Sequence, residues 1–477
     1  MASSRKPKSN NLSSSVENVL RQCVQAGDHL VLALSGGVDS VVLLNVLIPL
    51  SSRMSFSLSA IHVDHGISPN SNRWAEFCCK ICQSIGIPLK ISKVQVRKES
   101  GGSLEAAARE QRYLEFGALQ ADYVVLAQHL DDQAETLLLQ LLRGAGVKGL
   151  GAMPVIRDYP PETSAEAGGY SGQLSIEQPE AGGIKLLRPM LEIARREIED
   201  YAEEHALQWI SDESNIDISF NRNFLRHQVL PLVEWRFPGY RHTLSRASRH
   251  MAEASLLLDE LAEADGKGLA ASGKLEIEQL RKLSYPRAKN LLRYTLAQQG
   301  TILPSAVKLD EMLKQLLSSR SDSKIHVVFG NAEIRCFHGQ LHVQRASRDK
   351  AGKTDGAFQY LPLQWNGEEQ LAIRELGGVI QFSRCQSTGI NLNKLIELPV
   401  TIRPRRGGER LRPDPSRPRR SLKNLLREAG LPPWERQTLP LIFSGEHLAC
   451  VPGIGVDCDY QAVPGEQGLV VNWRRNT

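Results

Sequence analysis

The segment Ser35-Gly36-Gly37-Val38-Asp39-Ser40 constrains this chain more than any other. It stands inside residues 28–48, DHLVLALSGGVDSVVLLNVLI, where one apolar run ends at Leu34 and a second begins just beyond the glycines. That pattern reads as a strand, a tight loop and a helix. Two glycines let the backbone turn sharply and bring amide groups close to phosphate oxygens. The following helix adds the positive end of its dipole, and the serine hydroxyls add further donors. Ser35, Gly36, Gly37, Val38, Asp39 and Ser40 are therefore the candidate nucleotide-binding residues, with Asp39 a candidate ligand for Mg²⁺. The competing reading is a plain turn between strand and helix. A Walker A loop is missing, because Gly352-Lys353-Thr354 has Ser347 where the first glycine would stand.

The segments that follow alternate between strand and helix. LSAIHVD (58–64), PLKISKVQV (88–96) and YVVLAQ (123–128) read as strands. WAEFCCKICQSIG (74–86), LEAAAREQRYLEFGALQ (104–120) and DDQAETLLLQLLRG (131–144) read as helices. The expected class is α/β, with a doubly wound, mostly parallel sheet whose ligands bind beyond the carboxyl ends of the strands. Residues 157–184 are rich in Pro, Gly, Ser and Glu and read as a mobile insertion. Helices are expected at 188–207, 224–235 and 242–264, and β runs at 324–346. Residues 348–356 read as a linker. The expected organisation is a lead-in and first helix (1–27), the α/β domain (28–225), a mainly helical domain (226–347) and a smaller mixed α+β domain (358–477).

Composition narrows the function classes. The 477 residues are 41% hydrophobic and 23% charged, as in a soluble globular chain. No apolar run approaches the roughly 20 residues needed to span a bilayer. The polar start, MASSRKPKSNNLSSS, lacks the core of a secretory signal and reads as a disordered lead-in. Eight scattered cysteines fit a reducing compartment rather than a disulfide scaffold, so a cytoplasmic location is expected. Cys78, Cys79 and Cys82 share one helix without a partnered second pair and read as packing residues. The net charge of +5 is modest, but 11 basic residues against 4 acidic ones lie between Arg403 and Arg436. Such a stretch is either a solvated face or a surface for phosphate backbones.

The loop resembles the PP-loop of the N-type ATP pyrophosphatases. Further motifs narrow the resemblance: His62-Val63-Asp64-His65-Gly66; Ala108 to Tyr113; His129-Leu130-Asp131-Asp132-Gln133-Ala134-Glu135-Thr136; Asp212-Glu213-Ser214-Asn215; and Asn221 to Arg226. In this order and spacing the chain resembles the tRNA(Ile)-lysidine synthetase family over roughly residues 28–230. Residues 422–442 and 451–457 resemble the tail of its longer members. One departure is Gln128-His129, where the family often has two histidines.

The resemblance implies ATP-dependent adenylation of the wobble cytidine of tRNA(Ile) with a CAU anticodon, followed by attack of free lysine. It implies ATP as co-substrate, Mg²⁺, no membrane, and admits a homodimer. Asp39 and Asp132 are the metal candidates. Asp39, Asp132, Arg112, Arg222 and His129 are the catalytic candidates, with Asp132 and Asp39 as general-base options. Several of the motif residues have a plainer alternative: helix capping for Asp131 and Asp132, surface ion pairing for Arg112 and Arg222, and packing at the strand end for His62 and His65. Trp434 is either a core residue or a base-stacking one. The rival functions are a tRNA thiolase, a non-catalytic tRNA binder and a small-molecule ligase.

Overall fold

The computed structural model describes residues 8–66, 68–95, 104–159, 183–266, 275–299, 301, 303–318, 325–330, 332–345, 363–373 and 376–475. It divides into two compact units, Met1–Arg345 and Ala346–Thr477.

The first unit begins with α1 (Lys8–Cys23), so the polar start becomes ordered from Lys8 instead of forming a lead-in through Ser15. The cause is a stripe at helical spacing: Leu12, Val16, Leu20 and Val24 are all buried in the main core. Next come β1 (His29–Ala33), α2 (Val38–Met54), β2 (Ser57–Asp64), α3 (Ser71–Ser84), β3 (Leu89–Lys93), α4 (Leu104–Gly117) and β4 (Tyr123–Val125). Then follow α5 (Leu130–Leu142), α6 (Val147–Leu150), β5 (Ile156–Asp158), β6 (Lys185–Leu187) and α7 (Arg195–Glu204). The strands form one sheet in the order β3-β2-β1-β4-β6-β5, parallel except for β5. One face of the sheet packs against α1, α2, α3 and α7, and the opposite face carries the Phe116, Val124 and Leu186 cluster. This is the doubly wound α/β class.

Strand order reverses between β1, which leads leftward to β2 and β3, and β4. In open parallel sheets the carboxyl ends of the strands at such a reversal flank the usual ligand site. The loop Ser35–Ser40 follows β1, and His129–Asp132 follows β4.

Two expectations change at the edges, and a third is untested. The insertion is bordered by strands, with Arg157 and Asp158 in β5, while residues 160–182 lie outside the described residues. The helix expected at 188–207 starts only at Arg195. Residues 188–194 are held extended or turned because Arg188 is fully buried, donating to Gln128 Oε1 and to the Pro154 carbonyl at 3.0 Å, while Met190 bridges His129. The linker expected at 348–356 also lies outside the described residues.

The helical part follows as α8 (Asn221–Phe224), a π-turn at Leu225–Val229, α9 (Leu230–Arg236) and the long α10 (Tyr240–Asp265), which packs on α5 and α6. The elements β7 (Leu275–Glu276), α11 (Ile277–Lys282), α12 (Tyr285–Gln298), α13 (Ala306–Ser318), β8 (His326–Phe329), β9 (Ala332–Phe337) and β10 (Gln340–Arg345) complete the unit. Their antiparallel sheet, β7-β10-β9-β8, closes a core of Leu291, Leu313 and Ile334.

The second unit is built mainly of antiparallel strands with short helices. The strand Gly378–Gln386 pairs along its length with Gln467–Arg475, and Leu441–Ser444 lies between Val400–Arg403 and His447–Val451.

Candidate active site

The Ser35–Ser40 loop is set by its glycines. Gly36 has φ +87°, and a Cβ there would lie 2.9 Å from Ile210 Cδ1 and 3.2 Å from Cys78 Sγ. A side chain is therefore strained by the conformation and would require Ile210 to shift. The hydroxyls lace the turn. Ser40 Oγ donates to the Gly37 carbonyl at 2.9 Å and accepts from the Gly36 amide at 3.2 Å, and Ser35 Oγ accepts from the Gly37 amide at 3.3 Å. Helix α2 starts at Val38, and its first amides have no partners within the helix. This end of a 17-residue helix is a natural anion seat.

Asp39, in the first turn of α2, faces His129, the residue that caps α5. His129 Nε2 lies 3.7 Å from Asp39 Oδ1 and 3.5 Å from Asp132 Oδ2, so one buried imidazole edge separates the two carboxylates. Their environments differ. Burial pushes the Asp39 carboxyl above the usual carboxylate range, against the opposing pull of His129 and Arg195. Burial works on Asp132 in the same direction but is outweighed by His129, Arg222 and the His129 amide, which hold Asp132 below that range. Asp132 Oδ2 accepts that amide at 3.0 Å, so it caps its own helix as well.

Asp132 and Glu135, three residues apart, share a face of α5. Arg222 and Arg226, four apart, approach them from α8 and the π-turn. Arg222 Nη2 donates to Asp132 at 2.8 Å and its Nε to Glu135 at 2.6 Å; Arg226 Nε donates to Glu135 at 2.6 Å. Glu135 is 1% exposed. A carboxylate that deep is tolerated only with such charge-assisted partners. Asp131 turns the other way, accepting the Arg195 amide at the start of α7 at 2.9 Å and pairing with Arg241 of α10. It caps a helix other than its own.

Arg112 lies against His65 at the end of β2. Its Nε and Nη2 both donate to His65 Nε2, at 3.3 and 3.1 Å. A guanidinium cannot accept, so that nitrogen holds the lone pair and the ring proton sits on Nδ1. Burial, and then Arg112, push His65 down to about 4. His62 packs at the strand end, its Nδ1 2.9 Å from the Leu34 carbonyl.

The cysteines and the basic stretch complete the comparison with the sequence, the first as expected for packing residues. Cys78 and Cys82 are buried in the core, where burial pushes their thiols up to about 12 and about 11; protonated, enclosed thiols are poor nucleophiles and ligands. In the second unit, six of the eleven basic residues between 403 and 436 are ion-paired: Arg403, Arg405, Arg412, Arg417, Arg419 and Arg420. Trp434 is half-buried.

The structure thus joins the loop, Asp39, His129, Asp132 and Arg222 at the switch point, and sets Arg112 on His65. Sequence reasoning gave no role to Glu135, Arg226 or Arg195. The signal was present for the first two, as acids three apart facing arginines four apart, but which acid meets which arginine depends on packing 87 to 94 residues along the chain.

Known proteins resemble this chain over most of its length. Residues 8–233 match the family model of the PP-loop domain, residues 275–342 that of the TilS substrate binding domain, and residues 400–473 that of the TilS substrate C-terminal domain. Fold and loop define an ATP-using ligase of the PP-loop class. The tRNA(Ile)-lysidine synthase of Nitrosomonas europaea is 48% identical over 455 residues, covering 95% of this chain and 93% of that one. That of Azoarcus sp. is 38% identical, covering 93% and 91%, and that of Ralstonia nicotianae 36%, covering 92% and 91%. The chain belongs to the tRNA(Ile)-lysidine synthase family. Among the described residues no helix is long and apolar enough to cross a membrane.

Proposed function

We propose that the chain ligates free lysine to carbon-2 of the wobble cytidine of tRNA(Ile) bearing a CAU anticodon, at the expense of ATP. The product, lysidine, would read AUA instead of AUG and change the tRNA's amino acid from methionine to isoleucine. The observation that carries this reading is the meeting of a phosphate loop with the Asp39–His129–Asp132 group at one switch point, in a chain of this family.

In the first step the cytosine carbonyl oxygen attacks the α-phosphorus of ATP. A bond from oxygen to phosphorus forms, and the bond to pyrophosphate breaks. The loop amides and the α2 dipole stabilise the departing charge. Asp39 and Asp132 suit Mg²⁺, which takes one or two carboxylates and completes its shell with water and phosphate oxygens. Asp39 Oδ1 is buried without a hydrogen-bond partner, which fits a cation there. When bound, Mg²⁺ neutralises charge on the pyrophosphate.

In the second step the lysine ε-amine adds to carbon-2, and the bond from that carbon to the AMP oxygen breaks. Asp132, kept ionised, holds the ammonium and takes its proton before attack. Arg222 positions Asp132, His129 spaces the two carboxylates, and Arg112 grips phosphate or the flipped base. The segments 226–347 and 358–477 hold the tRNA body by its phosphates. In this reading the enzyme works in the cytoplasm, and the family admits a homodimer.

The test is incorporation of radiolabelled lysine into a tRNA(Ile) transcript with a CAU anticodon, with ATP and Mg²⁺. A tRNA(Met) transcript with the same anticodon is the control. Label in the isoleucine tRNA alone, with release of AMP, is expected. ATP cleavage without label would move the assignment to another nucleophile.

A further inference from the structure

Outside the catalytic groups the first unit carries a cleft of about 530 Å³ between α3 and the segment that follows α7. Arg73, Trp74 and Phe77 line one wall, Trp209 and Ile210 the other. The walls are latched: Asn70 Nδ2 donates to both carboxylate oxygens of Glu213, at 2.8 and 3.0 Å. Trp209 leaves 39% of its surface exposed, and Arg73 is exposed beside it. Burying an indole is among the larger apolar gains open to a chain, so a tryptophan left open at a cleft mouth marks a surface that can still gain from a planar partner.

The cleft is joined to the phosphate loop. The Ile210 amide donates to the Gly36 carbonyl at 2.9 Å. Where Gly36 lacks a side chain, Ile210 Cδ1 and Phe77 Cδ1 stand 2.9 and 3.4 Å from the position a Cβ would take. Residues of the cleft thus stand against the loop at Gly36.

Aromatic faces beside a guanidinium are the chemistry that receives unstacked bases: every base has a π face, and arginine meets the attached phosphate or stacks. An RNA whose reacting base is drawn out to the loop loses stacking at the neighbouring positions. We propose that this cleft receives an unstacked base of the anticodon loop next to the reacting nucleotide, stacked on Trp209, with its phosphate met by Arg73. The proposal rests on the reading of the chain as a tRNA-modifying ligase and assigns part of its specificity to residues outside the catalytic group.

The experiment is steady-state lysine transfer by the full chain, with tRNA(Ile) transcript and ATP varied in turn, for the wild type, Trp209→Ala, Trp209→Phe and Arg73→Ala. The expected result is a roughly five- to 150-fold rise in KM for tRNA in Trp209→Ala, near-complete rescue by Phe, a smaller rise in Arg73→Ala, and unchanged KM for ATP. Should Trp209→Ala fail to fold, Trp209→Leu and Arg73→Ala carry the test. Unchanged KM for tRNA in folded variants, with an active wild type, would overturn the proposal while leaving the function intact. A rise in KM for ATP alone would give the cleft to adenine and overturn it too. A wild type that neither binds the CAU transcript nor transfers lysine would overturn the functional reading, and this proposal with it.

Discussion

Glu135 engages Arg226 through both carboxylate oxygens, Nε to Oε1 at 2.6 Å and Nη2 to Oε2 at 2.9 Å, while only 1% of its own surface is exposed. Arg222 completes the pair of cations around it. Removing the carboxylate leaves the two guanidiniums sharing Asp132. Breaking a fully buried pair costs about 3–5 kcal/mol; the arginines here are 23% exposed, so Glu135→Ala is expected to cost about 2–3 kcal/mol. Urea unfolding of the variant checks this, and a change below about 0.5 kcal/mol, the level of an ordinary surface substitution, would contradict it.

Asp132→Asn keeps the shape of the side chain and removes the charge. If Asp132 takes the proton of the attacking amine, lysine transfer should fall by about 10²–10⁴ in kcat. Full transfer by a folded Asp132→Asn enzyme would remove Asp132 from the mechanism.

Gly36→Ala brings a Cβ into left-handed backbone and against Ile210. A cost of about 1–3 kcal/mol is expected from strain at that one residue. The more specific readout is ligand-linked: the rise in melting temperature that ATP gives the wild type should shrink or vanish, since the amides of the loop no longer hold their positions. An unchanged ATP shift would show that the loop tolerates a side chain.

His65 offers a pH signature. Its folded-state value is depressed to about 4 from 6.5, so between those values the unfolded chain binds the extra proton. The contribution of His65 to stability is therefore present above about pH 6.5 and is lost as pH falls toward 4. Nitrogen-resolved NMR should show Nδ1 protonated and Nε2 bare at pH 5. Arg112→Ala should raise the pKa. An imidazolium signal at pH 5.5 in the wild type would refute the assignment.

The arginines of the second unit predict a salt dependence. If the six ion pairs persist on binding, five of the eleven basic residues remain to release counterions. The isolated contribution of this segment to log K against log salt would then have a slope of about −4, taking 0.7–0.9 per phosphate. Measuring tRNA binding from 50 to 300 mM salt, with all five residues neutralised against the wild type, checks the difference. A difference near zero would remove the segment from the interface.

The α/β half was legible because its signals are local. Apolar runs of strand length, glycine punctuation and acids at a helix start each report on a few neighbouring residues, and β1, α2, β2 and α5 follow them closely. The start of the chain was misread because its serines and asparagines hide a four-residue stripe, Leu12 to Val24, whose meaning depends on α2 and α7 being there to cover it. The 188–194 segment failed for the same kind of reason: its helix-forming composition yields to a buried Arg188 and a bridge to His129, both set by tertiary contacts. At the site, motif positions could be read, but partner choice could not. Asp131 and Asp132 are adjacent in sequence and nearly equal in chemistry, yet they point into different networks because successive positions on a helix diverge by about 100°.

That divergence ties two distant parts of the first unit together. Asp131 grips Arg241 on the 26-residue α10 and the first amide of α7, while Asp132, one peptide bond away, stands beside His129 and Arg222. The start of α5 is thus held from two sides, by α7 through an amide and by α10 through an ion pair. The turn that carries Asp132 toward His129 and Arg222 is the same turn that these two helices fix.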